Sequence, residues 1–421
     1  MTRPEQHHSK SIRLQALGAL VTMFVVSVFA VNSAEGQAYT VIHNFAGYDG
    51  NQPMVGLTMD RGGSLYGTTF LGGTGCAYGC GTVFKLVRNG SDWILKPLYE
   101  FAGGTDGANP DSRVIFGPDG NLYGTTTIGG QYGAGTVYKL QPPASACKST
   151  NCLWRETILY SFTGLSDGGT PEGDLIFDSA GNLYGTTFGG AVMGECYSGC
   201  GVVYELMPSH GSWTCTILYT FTGLSDGGSP TSGIILDRSG NLYGTTSAGG
   251  SHFLGTVFEL AKTGAGWTEN VLHSFQGAGD GENPESGLVF DPAGNLYGLT
   301  IAGGGHNNGT AFELQTSSGS WNYSGLFNFG LQSGQPISTP ILDSAGNLYG
   351  TAYSGGRDGV GAIFKLTPAA GSWNYSSLHD FVITDGARPQ GNVILDAQGN
   401  VYGTALGGGA SGDGVVFEIT P

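Results

Sequence analysis

A five-residue segment, Leu65-Tyr-Gly-Thr-Thr69, returns unchanged at Leu122, Leu183 and Leu242, and in looser form at Leu296, Leu348 and Val401. The tyrosines of the seven copies are Tyr66, Tyr123, Tyr184, Tyr243, Tyr297, Tyr349 and Tyr402, spaced by 57, 61, 59, 54, 52 and 53 residues. A unit of about 55 residues repeated from near Tyr39 to the C-terminus admits few architectures. Each copy holds four strand-like runs. In the fourth copy they are Gly233–Asp237, Leu242–Thr246, Gly255–Leu260 and Trp267–Phe275. The runs are separated by turn chemistry, such as Asp237-Arg-Ser-Gly-Asn241, in which glycine is free to take positive φ. Glycine and proline make up about 22% of the chain, against roughly 12% in average proteins, which argues against long helices. With 39% hydrophobic and only 11% charged residues, disorder is excluded too.

Four strands per repeat in a radial array predict an all-β fold, a seven-bladed β-propeller with four antiparallel strands per blade. The two termini agree. The last repeat stops after its third strand, Val415–Ile419, and the missing fourth-strand pattern lies at the other end, Tyr39–Phe45. Pairing the two closes the ring and removes exposed sheet edges.

The LYGTT…GG…GTVF units resemble the tandem repeats of the bacterial exported proteins known as choice-of-anchor tandem repeat GloVer-containing proteins. The resemblance covers residues 35–421 and implies export and a propeller-like array. It supplies no activity and no catalytic residues, and the C-terminal anchor in the family's name has no counterpart before Pro421.

Residues 1–34 read as a secretory signal peptide or an N-terminal anchor, with Arg3, Lys10 and Arg13 ahead of the apolar run Leu14–Val31. Either reading places residues 35–421 outside the cytoplasm, secreted, periplasmic or at the cell surface, with membrane contact only through that segment. The whole chain carries −16, and residues 35–421 carry −18, so nucleic acid is a poor partner. A monomer is expected.

In the expected topology, two loop types share one face: the linker from each fourth strand to the next blade, and the Gly-Gly loop between second and third strands. The linkers repeat an Asp at Asp49, Asp106, Asp167, Asp226, Asp280 and Asp385, and the sixth linker has none. Asp-Gly is a turn pair, so six equivalent copies point to a demand of every blade. The same six are the candidates for a cation- or sugar-binding rim. No cofactor is expected. Calcium is the alternative to test, and it needs six to eight converging oxygens.

Loop aromatics Tyr78, Tyr132, Tyr197 and Phe253 are candidates for sugar stacking. The six tryptophans open fourth strands and read as architecture. His43, His273 and His379 share the fourth-strand slot of Tyr99, Tyr160 and Tyr219, so chemistry there is not expected. His252 and His306, in adjacent Gly-Gly loops, are the histidines to test as ligands. No H-E-x-x-H or P-loop pattern occurs, and no catalytic residue or metal site is assigned.

Cys76 with Cys80, and Cys196 with Cys200, lie in enlarged Gly-Gly loops, while Cys147 and Cys152 bracket a long hairpin on the opposite face. Three local disulfides are the simplest assignment. A four-cysteine zinc site would need blades one and three to meet over the channel. Cys215 is left as a strand thiol. The leading function is a binding or scaffold module for extracellular carbohydrate or a cell-surface protein. The alternative is a polysaccharide hydrolase or lyase using acids such as Glu195, Asp358 or Asp413 on the linker face.

Overall fold

A computed structural model describes Met1 and residues 37–421, except 78, 145–152, 192–195 and 318. The proposed signal or anchor segment, Tyr78 and Glu195 therefore lie outside the described residues. So do Cys147 and Cys152, whose expected disulfide is left without a structural account. Gln37–Pro421 forms one compact unit. It is built from seven four-stranded antiparallel sheets, and a 3-10 turn at Gly104–Asp106 is the only helical element among the described residues.

In the fourth blade the strands are Ile235–Leu236, Leu242–Thr246, Thr256–Thr263 and Gly266–Ser274, in that order from inside to outside. The other blades follow the same order. The last is closed by the N-terminal strand Ala38–Asn44, which pairs with Val415–Thr420 from Ala38 opposite Thr420 to Asn44 opposite Val415. Propeller, blade count and closure stand as the sequence predicts.

Each residue of the repeated pentapeptide has a structural task. The leading Leu is buried, as at Leu65 and Leu242. The Tyr hydroxyl donates to the carboxylate of the preceding turn, as Tyr66 does to Asp60 at 3.0 Å, while that Asp accepts the turn's own N–H groups. The Gly makes room for the third-strand ring of its own blade. A Cβ on Gly67 would lie 2.5 Å from the Phe84 ring, so the close approach is within a sheet. The first Thr reaches across to the next blade, as Thr186 does to the Ser232 carbonyl at 2.9 Å. The second Thr ties its strand to the third, as Thr246 to Thr256 at 2.8 Å.

The inner strand pairs over only two residues, fewer than its apolar pattern suggests. Its start turns along the central channel, and hydroxyls replace the ladder there, as in the 3.0 Å contact of Ser232 with Thr245. The core is divided among the seven interfaces between blades. One cluster joins Tyr243, Val257 and Phe275 of the fourth blade to Leu288, Leu296 and Phe312 of the fifth. Fourth-strand tryptophans cover the preceding blade's tyrosine, as Trp213 covers Tyr123 with centroids 6.3 Å apart.

Candidate functional site

The linker aspartates are held by the fold. Asp226 accepts the Thr222 N–H at 2.9 Å and the Tyr219 hydroxyl at 3.1 Å. Asp49, Asp106, Asp167, Asp280 and Asp385 repeat this pattern, with His43, Tyr99, Tyr160, His273 and His379 as outer-strand partners. The sixth linker explains its own exception. Ser333 accepts the Gly330 N–H at 2.6 Å, and the outer-strand residue there is Phe327, which offers no polar hydrogen. These groups stay one per interface. Burial lowers the pKa of His273 and of His379 despite their carboxylate neighbours.

Each outer-strand Tyr, His or Phe of this slot faces a further position on the next blade, four residues before that blade's own slot residue. Around the ring this position is Leu95, Glu156, Cys215, Glu269, Tyr323, Tyr375 and Tyr39. Tyr323 stacks on His273 at 4.3 Å and Tyr375 on Phe327 at 5.5 Å. Glu156 takes a 3.1 Å bond from Tyr99, and burial together with the Asp106 carboxylate pushes its pKa up to about 9. Glu269 is pushed up to about 7 by burial and Asp226, and the Cys215 thiol up to about 12, mainly by burial.

The carboxylates that do converge were not among the sequence candidates. They line a cavity of about 360 Å3 at the mouth of the central channel, on the face of the linkers and Gly-Gly loops. Asp111, Glu172 and Glu285 each follow the linker proline, where the other blades carry Met54, Thr231, Ile337 and Gln390. Burial and the charge of Asp174 raise Asp111 to about 6. Burial and the charges of Asp111 and Glu285 raise Glu172 to about 8. Burial also raises Glu285. Asp174 itself is taken up by Arg113, whose backbone N–H lies 2.7 Å away and whose Nε lies 3.2 Å away. Carboxyls that stay protonated near neutrality can donate as well as accept hydrogen bonds.

The same face collects exposed apolar side chains. Tyr48, Leu165, Leu224, Leu331 and Ile383 stand at linker tips, and Ile128, Tyr132, Tyr197 and Phe253 in Gly-Gly loops. Among the described residues of this unit, Ile94, Leu153 and Val271 are the large exposed hydrophobics that lie elsewhere. Two of the candidates come together: Tyr197 and Phe253 line one cleft of about 330 Å3 between the third and fourth blades. Phe188 lines both this cleft and the channel mouth.

His252 does not line the cleft that His306 lines. His306 lines a cleft between the fifth and sixth blades with Leu331 and Tyr375, whereas His252 is exposed on the fourth. Asp358 is exposed beside Arg357, 3.5 Å away, and neither it nor Asp413 lines the channel mouth. The strings Gly164-Leu-Ser-Asp-Gly168 and Gly223-Leu-Ser-Asp-Gly227 match G-x-S-x-G, yet both are linker turns after an outer strand. A nucleophile elbow requires a strand-to-helix turn.

Two of the three expected disulfides are present. Cys76 pairs with Cys80 and Cys196 with Cys200, so these four are disulfides and not a shared zinc site. The third expected pair, Cys147 with Cys152, falls outside the described residues, and no bond between Cys147 and Cys152 is assigned. Among the described residues no three His, Cys, Asp or Glu side chains group as a metal site.

The chain matches the Gloeobacter/Verrucomicrobia repeat over residues 25–235, 150–332 and 237–421. No curated protein sequence matches it significantly. Among solved structures it resembles the extracellular domain of a B. thetaiotaomicron protein assigned as a one-component system, with TM-score 0.54 and 9% identity over 91% of this chain. It spans 40% of that chain's length. It also resembles a fungal alcohol oxidase of the AA5 family solved with copper, with TM-score 0.51 and 14% identity over 92% of this chain and 76% of the other. At these identities the likeness is one of fold.

Proposed function

Because the chain belongs to the Gloeobacter/Verrucomicrobia repeat family and folds as a seven-bladed propeller, we propose that it is an exported binding module whose linker-and-loop face recognises extracellular carbohydrate. The observation that carries this reading is the concentration of exposed apolar and aromatic side chains on that face, around a channel mouth rich in carboxyl, amide and hydroxyl groups. Aromatic rings covering apolar sugar faces and carboxylates binding hydroxyls are the two halves of carbohydrate recognition. Export is supported by the two local disulfides, which persist in oxidising compartments, and by the basic-then-apolar N-terminal pattern. The test is retention of residues 35–421 on soluble and insoluble polysaccharides. Selective retention on one polymer is expected. Retention on none overturns the carbohydrate reading in favour of a protein partner.

A second reading, a polysaccharide hydrolase or lyase, is favoured by one observation: the channel mouth holds Asp111 and Glu172 with pKa values raised to different levels. Groups so separated suit base and acid roles near neutral pH. Turnover of the retained polymer, lost in Glu172→Gln with retention intact, is the outcome that selects it.

A further inference from the structure

We infer that the cleft between the third and fourth blades is a pyranose-stacking site, in which Tyr197 and Phe253 take the apolar faces of sugar rings. The inference rests on the carbohydrate reading above and assigns that reading a place.

The first argument is backbone conformation. Phe253 has φ 58°, in the left-handed region, three residues after the second glycine of its Gly-Gly loop. The equivalent positions of the second, sixth and seventh blades are Gly133, Gly359 and Gly412, at φ 81°, 74° and 84°, and the fifth blade has Asn307 at 56°. Glycine holds this conformation without cost and asparagine with little, whereas a bulky side chain there is strained by about 1 kcal/mol or more. The loop turns equally well without a ring, and the ring does not repay the strain by burial: Phe253 is 61% exposed. Strain maintained for an exposed aromatic points to contact with a ligand.

The second argument is the opposite wall. Tyr197 is 99% exposed, yet it sits between Cys196 and Cys200, which are disulfide-bonded, with Cys200 fully buried. A Cβ on Gly228, in the fourth blade's linker, would lie 2.9 Å from Cys196 Sγ, so the loop presses on that linker. The ring is therefore presented from an anchored base, which reduces the ordering entropy that binding would otherwise cost.

The third argument is the floor and the exit. The floor is backbone and small side chains, Gly223, Ala248 and Gly249, with Ser198 and Ser229 alongside. A small-residue floor between two aromatic rims suits a ring laid on edge better than a branched apolar side chain. At about 330 Å3 the cleft is at the small end of ligand sites. Through Phe188 it adjoins the channel mouth, so a glycan chain stacked here can present its next residues to Asp111 and Glu172.

The experiment is affinity electrophoresis of the full chain in gels containing xylan, mixed-linkage β-glucan, galactomannan or pectin, comparing wild type with Phe253→Gly, Tyr197→Ala and, as an exposed side chain away from that face, Ile94→Ala. Phe253→Gly installs the residue three other blades use, so it relieves strain and preserves the loop. At least one polymer is expected to retard wild type and Ile94→Ala alike. Phe253→Gly and Tyr197→Ala should each weaken the interaction by about tenfold or more, as truncation of an anchoring aromatic does, with an unchanged or higher Tm for Phe253→Gly. If Phe253→Gly is retarded as strongly as wild type, the cleft is not the site, while the carbohydrate reading stands. If no polymer retards wild type, both are overturned.

Discussion

His379 lies flat on Tyr39, with ring centroids 3.6 Å apart and planes 5° from parallel. One ring belongs to the outer strand of the sixth blade and the other to the N-terminal strand that completes the seventh. The Tyr39 hydroxyl also donates to the Asp385 carbonyl at 2.7 Å. The closing strand is thus held twice, by its ladder and by the blade beside it.

Removing that second hold should open the ring at its seam. Tyr39→Ala is expected to cost about 3 kcal/mol, as for a large aromatic lost from a packed interface. Tyr39→Phe keeps the stack and should cost about 1 kcal/mol for the hydrogen bond alone. Denaturant unfolding of the two variants separates stacking from bonding.

Glu156 should make the protein less stable as pH rises. Its pKa stands near 9 in the folded chain and near the ordinary 4.5 once unfolded. The folded state therefore keeps a proton that the unfolded state releases above about pH 4.5, and the penalty grows until about pH 9. Glu156→Gln removes it. The variant should gain more in Tm over wild type at pH 8 than at pH 5, read by calorimetry across that range.

Tyr204 carries a buried hydroxyl without a hydrogen-bond partner, at a position where five other blades place Phe. Tyr204→Phe should therefore stabilise the protein by about 1 kcal/mol, since an unsatisfied buried hydroxyl is lost. A higher denaturant midpoint with unchanged slope is the expected result.

Opening Cys196–Cys200 should affect binding more than folding. The loop it closes is short, so the chain-entropy loss is only about 2 kcal/mol. The double variant Cys196→Ser/Cys200→Ser should stay folded by circular dichroism and bind the retained polysaccharide more weakly than wild type.

The fold was legible because every interface repeats its demands. Seven tyrosines, six linker aspartates and the orphan strand at Tyr39–Phe45 announce the ring and its closure. The same repetition misdirects a search for a site. Asp49 and its equivalents recur because each must cap a turn and hold an outer-strand Tyr or His, so their carboxylates are already committed. Asp111, Glu172 and Glu285 are conspicuous only as departures, three acids at the position after the linker proline that is otherwise neutral. Comparing the repeats position by position would have exposed them, and Phe253 likewise, as a ring where Gly and Asn are the rule. The meeting of Phe253 with Tyr197 depends on loop geometry across two blades, which no spacing reveals.

The seven inter-blade positions running from Leu95 to Tyr39 hold one leucine, two glutamates, one cysteine and three tyrosines, although the blades that carry them are near copies. The seams therefore fall into four kinds. Exchanging the third and fifth blades would bring Tyr323 against Tyr160 and Asp167, and Cys215 against His273, which would lose the ring it stacks on. A ring of interchangeable parts could assemble in many orders or with a blade missing. Here the seams restrict that order, and a gene that gained or lost one blade would have to match the kinds of seam on either side of the change.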